Sequence, residues 1–198
     1  AHAVMSKNLN RAISTVAQEL GLKEQKASFD PTAVVRCGDT DLRMVMRSME
    51  PGYEPKEAIM QTVREMSDGE TVVFTRDTHH ADYLSTQEGR KLPVPHCLEG
   101  TDGWQIDAAL AVEDAPVFDK PGFGSPALIE YLRSLPALEG VEFIGLCTDI
   151  CVITNAMMTK GALPEVPLSM RADCCAGVTP QSHETALQAM RMCQISIV

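Results

Sequence analysis

Apolar residues in this chain recur in two rhythms. Short runs stand at 33–36 (AVVR), 71–75 (TVVFT), 115–118 (APVF), 141–146 (VEFIGL), 166–170 (VPLSM) and 195–198 (ISIV). Their length and flanks predict strands. Between them lie segments with helical periodicity at 55–66, 125–135, 151–161 and 180–192. An earlier stretch, 7–20, places Leu9, Ile13, Val16 and Leu20 at helical spacing and ends at Gly21, so it predicts a helix within an N-terminal extension covering residues 1–30. Strands joined by helices imply right-handed crossovers and parallel pairing. The expected fold is therefore α/β: a three-layer α/β/α domain over residues 31–198, with a mostly parallel six-stranded sheet covered by helices on both faces. In such sheets ligands bind beyond the carboxyl ends of the strands, which directs attention to the residues after 36, 75, 118 and 146.

Composition narrows the class of partner. A length of 198 residues, 44% apolar and 22% charged, fits one globular domain. The 17 basic residues are outnumbered by 27 acidic ones, giving a net charge of −10 without any basic run, so nucleic acid is not an expected partner. No apolar run reaches the roughly 18 residues of a membrane span, and no membrane association is expected. Seven cysteines, at 37, 97, 147, 151, 174, 175 and 193, form no readable disulfide framework, and no leader peptide is visible; a reducing, cytoplasmic compartment is expected. Cysteines there are mostly small buried hydrophobes, so context must single out a reactive one.

Three strand ends carry unusual chemistry. The 71–75 run continues into Arg76-Asp77-Thr78-His79-His80, and a later loop, LPVPHCLEGTDGW, supplies His96. Asp77 and His79, two residues apart on extended chain, point to one side, and His96 can complete a three-ligand site for a divalent ion with positions left open. Helix capping or loop hydrogen bonding is the other use of such residues. VEFIGL runs into Cys147-Thr148-Asp149-Ile150-Cys151 and then a helix. Cys151 at that helix's start suits a thiolate nucleophile, or else a small residue packed at a tight turn. Cys147, arriving on the strand, is expected to pack. Lys120 follows the 115–118 strand, where it either sits near a thiol and favours its ionised form or is a solvated loop lysine; Ser125 and Pro126 read as N-cap and first position of the next helix.

Taken together, FTRDTH, YLSTQEGRKLPVPHCLEGTDGW, FDKPGFGS, GLCTDICV and CCAGVTPQSHETAL resemble the isochorismatase-like cysteine hydrolase superfamily, in its nicotinamidase and pyrazinamidase branch. The resemblance spans roughly 71–195 and implies a Rossmann-like domain. It also implies an Asp, Lys and Cys triad, in which Lys120 and Cys151 match the lysine and the nucleophile. Asp77, His79 and His96 match the metal ligands, for zinc or else iron or manganese. Backbone amides of Cys147 and Cys151 match the oxyanion site, and the family's non-proline cis peptide would fall at Leu146-Cys147. The chain departs from the family pattern at AVVRCGDTDLRMVMRSMEPG. An ungapped count back from EPGYEPKEAI puts Asp41 at the catalytic carboxylate, with Asp39 as rival, and sets Arg43 and Met46 where relatives carry Gln and Phe. Pro93 replaces a tryptophan that often precedes the metal-ligand histidine.

The implied activity is amide hydrolysis: nicotinamide and water giving nicotinate and ammonia. Hydrolysis of another small carbamoyl or ureido amide, or a silent homologue acting as a binding protein, are the alternatives. The implied partners are a small amide and further copies of the chain in a homo-oligomer. Met46 and Trp104 are candidate walls of the pocket, Trp104 being equally suited to core packing. His183 is expected on a helix surface or an interface. Cys174 and Cys175 are expected to pack closely before Gly177, and Met157, Met158, Met190 and Met192 to lie in the core or at a subunit contact.

Overall fold

Parallel pairing sets the frame. The computed structural model describes residues 71–106 and 114–198, together with the backbone of a short antiparallel hairpin, Arg36–Cys37 (β1) and Thr40–Asp41 (β2). Phe74–Asp77 (β3) pairs in parallel with Val117–Lys120 (β4). Val141–Leu146 (β5), Leu168–Ala176 (β6) and Ser196–Ile197 (β7) form a parallel three-stranded sheet in that order. The architecture is α/β, as the alternation of runs predicts. Among the described residues the parallel strands number five, in a pair and a triplet. The run expected at 33–36 meets the described backbone only at Arg36, in the hairpin. The predicted helices at 7–20 and 55–66, the boundary at residue 30, and Asp39, Arg43 and Met46 lie outside the described residues. Asp41 is placed only as backbone, at the end of β2.

The strand ends run further than the apolar runs. β3 and β4 each continue into charged residues, and β6 extends to Ala176 instead of stopping near 170. Apolar runs mark where a sheet is packed, whereas backbone pairing persists wherever the polar side chains it carries find partners. Here the last register pair of β3 and β4 is Asp77 opposite Lys120.

Four helices are present among the described residues: Gln87–Lys91 (α1), Pro126–Ser134 (α2), Ile153–Ala162 (α3) and Pro180–Met192 (α4). Ser125 caps α2 by accepting from Leu128 N–H, with Pro126 at the first position, as the sequence predicts. Thr179 and Ser182 form a reciprocal capping box at the start of α4. Regular helix begins two residues later than Cys151, because Thr148–Val152 is wound as a wider π-type turn. The Leu146-Cys147 peptide is cis, where the resemblance places it. No helix of the described residues is long and apolar enough to cross a membrane.

The core lies between the three-stranded sheet and helices α3 and α4. Phe143, Leu168, Met170 and Cys175 from the sheet meet Ala156, Ala186, Leu187 and Met190 from the helices. Cys174 and Cys175 are fully buried beside Ala176, as expected. Met190 is core and Met157 packs against it, whereas Met192 is not a core residue: it is 85% exposed, on the outer face of the last turn of α4.

One buried amide ties the site-bearing loops together. Asn155 Oδ1 accepts Ser125 N–H at 2.9 Å, while its Nδ2 donates to Phe123 O at 3.1 Å and to Cys151 O at 2.8 Å. The loop after β4 and the turn carrying Cys151 are thus fixed to one side chain. Replacing it with an apolar side chain of the same size removes all three hydrogen bonds. Asn155→Leu is expected to lower unfolding stability by about 3 kcal/mol, read from the urea midpoint; an unchanged midpoint would contradict this role.

Candidate active site

The parallel register of β3 and β4 delivers Asp77 and Lys120 side by side at the carboxyl edge, and the turn after β5 brings Cys151 to them. Lys120 Nζ donates to Asp77 Oδ1 and lies 3.3 Å from Cys151 Sγ, and Sγ stands 3.9 Å from Asp77 Oδ2. All three residues are buried, Lys120 to 1% exposure. The solvated-loop reading of Lys120 is therefore wrong. A buried ammonium is tolerable only against anionic or strongly polarisable partners. Asp77 is one, and the polarisable sulfur of Cys151 is another.

A second group converges from the loops between β3 and β4. His79 N–H donates to Cys97 O at 3.0 Å, and Glu99 N–H donates back to His79 O at 2.9 Å. This bridge carries His96 to within 4.8 Å of His79 between ring centroids, with the Tyr83 ring against both. One donor atom each from Asp77, His79 and His96 lies within 4.8 Å of the others, the spacing of a site that can hold a metal ion. Asp77 thus faces both groups at once.

His96 Nδ1 is 2.8 Å from Val94 O, and a carbonyl only accepts, so Nδ1 carries a proton and donates to it. His79 Nε2 is buried without a hydrogen-bond partner. Burial first, then the charges of His96, Lys120 and His80, push the His79 imidazole down to about 4, so it is neutral at physiological pH.

Glu88, which the sequence reading missed, completes the group. Its Oε1 stands 3.7 Å from His79 Nε2 and 3.6 Å from His96 Nε2. Burial raises its carboxyl above the usual carboxylate range, against the pull of His96 and Lys120. The residue is set there by α1, where Thr86 caps through Gly89 N–H and Gly89 lies so close to Tyr83 O that a Cβ could not fit. In STQEGRK the only signal is the Thr86 cap with a glycine in the helix's first turn, which reads as an exposed turn unless the neighbouring loop is known.

Trp104 is half-buried and does two structural jobs. Its Nε1 donates to Thr78 Oγ1 at 2.9 Å, and the Arg76 guanidinium stacks 3.6 Å above the ring while pairing with Asp119. Arg76 holds the Asp119 carboxyl below its ordinary range by that hydrogen bond. Cys147 is buried at the cis peptide, as its packing role predicts. His183 corrects its expectation of a surface position: it is buried, with Nδ1 2.8 Å from Thr148 Oγ1, because the first turn of α4 is pressed against the turn that follows β5.

Removing the ammonium should raise the cost of ionising Cys151. Lys120→Met is expected to slow alkylation of Cys151 by iodoacetamide at pH 7 by more than about tenfold, followed by mass spectrometry. An unchanged rate would remove Lys120 from any role in thiolate formation.

Comparison with known proteins places this geometry. The isochorismatase domain model matches residues 41–197. Among solved structures, a nicotinamidase/pyrazinamidase from Bacillus subtilis is 25% identical, with 75% of this chain and 86% of that one covered and a TM-score of 0.64. A pyrazinamidase of Pyrococcus horikoshii, in complex with zinc, is 26% identical over 77% of this chain and 93% of that one, with a TM-score of 0.61. A pyrazinamidase/nicotinamidase from Streptococcus mutans, 23% identical over 75% of this chain and 87% of that one, shares the fold with a TM-score of 0.65. No curated protein matches the chain.

Proposed function

Because the chain belongs to the isochorismatase family, we propose that it is a cysteine amidohydrolase acting on a small amide, with nicotinamide the foremost substrate and nicotinate and ammonia the products. The observation that carries the reading is the buried Asp77, Lys120 and Cys151 cluster, in which one ammonium lies 3.3 Å from the thiol. The solved relatives at 25% and 26% identity, a nicotinamidase/pyrazinamidase and a pyrazinamidase, support the substrate class.

In this mechanism Cys151 Sγ attacks the amide carbonyl as a thiolate. Lys120 compensates its charge. Backbone amides of Cys147 and Cys151 receive the charge that develops on the carbonyl oxygen. The thiol proton passes to a carboxylate and from it to the departing nitrogen, releasing ammonia and leaving a thioester. Water hydrolyses the thioester, giving the acid and restoring the thiol. The family resemblance assigns the proton-accepting carboxylate to Asp41. Asp77 is the second reading, favoured by its Oδ2 at 3.9 Å from Sγ. Asp41→Asn and Asp77→Asn separate them when both are assayed on metal-free protein: the carboxylate that accepts the proton is the one whose loss abolishes acylation of Cys151 there.

Asp77, His79 and His96 are the residues that would hold a divalent metal, zinc foremost and iron or manganese as alternatives. The chain fits such an ion: His79 is neutral at physiological pH and its buried Nε2 is otherwise unsatisfied, and Glu88 places a carboxylate near the Nε2 atoms of both His79 and His96. Carboxylate oxygen and imidazole lone pairs repel unless a cation lies among them. When bound, the ion supplies Lewis acidity for a ring nitrogen or a water. The protein's part is to keep His79 neutral by burial and to orient the His96 ring through the Val94 carbonyl.

Cys151→Ala is expected to cut ammonia release from nicotinamide by more than about 10³-fold with the fold retained; release at the wild-type rate would overturn the nucleophile. A panel of carbamoyl and ureido amides identifies the substrate if nicotinamide is inert, and inertness across the panel favours a silent binding protein. For the metal, Glu88→Gln should weaken zinc binding at least about tenfold in equilibrium dialysis, and His79→Ala should abolish it. Equal binding by wild type and the Glu88 variant would remove Glu88 from the ligand set.

A further inference from the structure

Among the described residues, His183 is a buried titratable group that the mechanism does not use. His183 sits in the first turn of α4, with 8% of its surface exposed, and its Nδ1 meets Thr148 Oγ1, itself fully buried, at 2.8 Å. Burial holds its pKa below the ordinary value, against the pull of Glu184 and Asp149. An apolar side chain would fill that space without the cost of burying an imidazole.

Two contacts join this segment to the nucleophile turn, and a third packs the segment against itself. The first is the bond from His183 to Thr148. In the second, Val178 N–H donates to the Asp149 carboxylate, with both oxygens at 3.1 Å. The third is steric: a Cβ on Gly177 would lie 2.8 Å from His183 Cβ and 2.9 Å from its Cα and N, so only glycine lets the end of β6 pass this close to α4. The capping box and the donation of His183 N–H to Thr179 O at 2.9 Å keep that first turn rigid.

The gripped residues start the turn that ends at Cys151. Thr148 follows Cys147, whose carbonyl accepts from both Ile150 and Val152 N–H at 3.1 Å. Because two amides of the turn converge on that one carbonyl, a displacement of Thr148 moves the amides on either side of it. We propose that His183 is a positioning residue: through Thr148 it fixes the backbone amides around Cys151 that receive the charge of the attacked carbonyl. The inference rests on the hydrolase reading given above. It separates two properties of Cys151, because sulfur nucleophilicity depends on Lys120 while stabilisation of the oxyanion depends on the turn.

The test uses the full chain and two generic thiol reagents. Acylation by p-nitrophenyl acetate develops an oxyanion, and alkylation by iodoacetamide does not. His183→Leu is expected to slow acylation of Cys151 about 10- to 100-fold, within the range for a displaced oxyanion donor, while alkylation stays within about twofold of wild type. His183→Asn, whose side-chain amide can occupy the place of Nδ1, should recover most of the acylation rate. Thr148→Val removes the same bond from the other side without altering α4, and should slow acylation as much as His183→Leu, with no further loss in the double variant. Wild-type acylation rates in both single variants, a parallel fall in alkylation, or no recovery with Asn would overturn the positioning role. A wild-type protein that is alkylated but never acylated would overturn the hydrolase reading and this inference with it.

Discussion

The buried ammonium of Lys120 is the constraint around which the site is built. A lysine with 1% exposure must be surrounded by charge or by strong acceptors. The parallel pairing of β3 and β4 supplies Asp77 directly opposite it, and the turn after β5 supplies Cys151 on its other side. Each element that positions those partners is thereby tied to one charge. Asn155 joins the loop beyond Lys120 to the carbonyl of Cys151, and the β6 to α4 connection holds the turn from behind. Asp77 is shared, with one face toward lysine and thiol and the other toward two imidazoles.

That sharing couples the two halves of the site. The carboxylate neutralises Lys120 and also stands among the lone pairs of His79 and His96, so the electrostatics of the thiol and of the metal-binding group are not independent. Neutral imidazoles are needed for the second role. Burial and the surrounding positive charges keep His79 neutral, and the Val94 carbonyl does the same for the orientation of His96. Glu88 adds a second carboxylate beside the two imidazoles, where an ion would otherwise be compensated by Asp77 alone.

Much of this was legible in the residues themselves. Alternating runs and helical segments give the α/β fold, and α4 begins and ends where its periodicity does. Asp77, His79, Lys120 and Cys151 stand out by type and by their places at or just beyond strand ends, His96 stands out in a later loop, and the structure brings the five together. The exact strand ends were not legible, because Asp77 and Lys120 look like loop residues until their mutual pairing is known. Glu88 was invisible for a related reason: its short helix resembles a solvated turn, and its meaning depends on a loop that returns from residue 96. His183 was misread because a polar residue in the first turn of an amphipathic helix is ordinarily outside. Its burial follows from Gly177, whose missing side chain lets the chain close over it.

The central claim is that Cys151, beside Lys120, forms a covalent acyl intermediate with a small amide. Intact and peptide mass spectrometry on protein quenched in acid during turnover of nicotinamide tests it most directly. The account predicts an adduct with the mass of the substrate's acyl group on the peptide containing Cys151, formed with release of ammonia and absent from Cys151→Ala. Ammonia released at a steady rate with no adduct at Cys151, or an adduct on another residue, would contradict it.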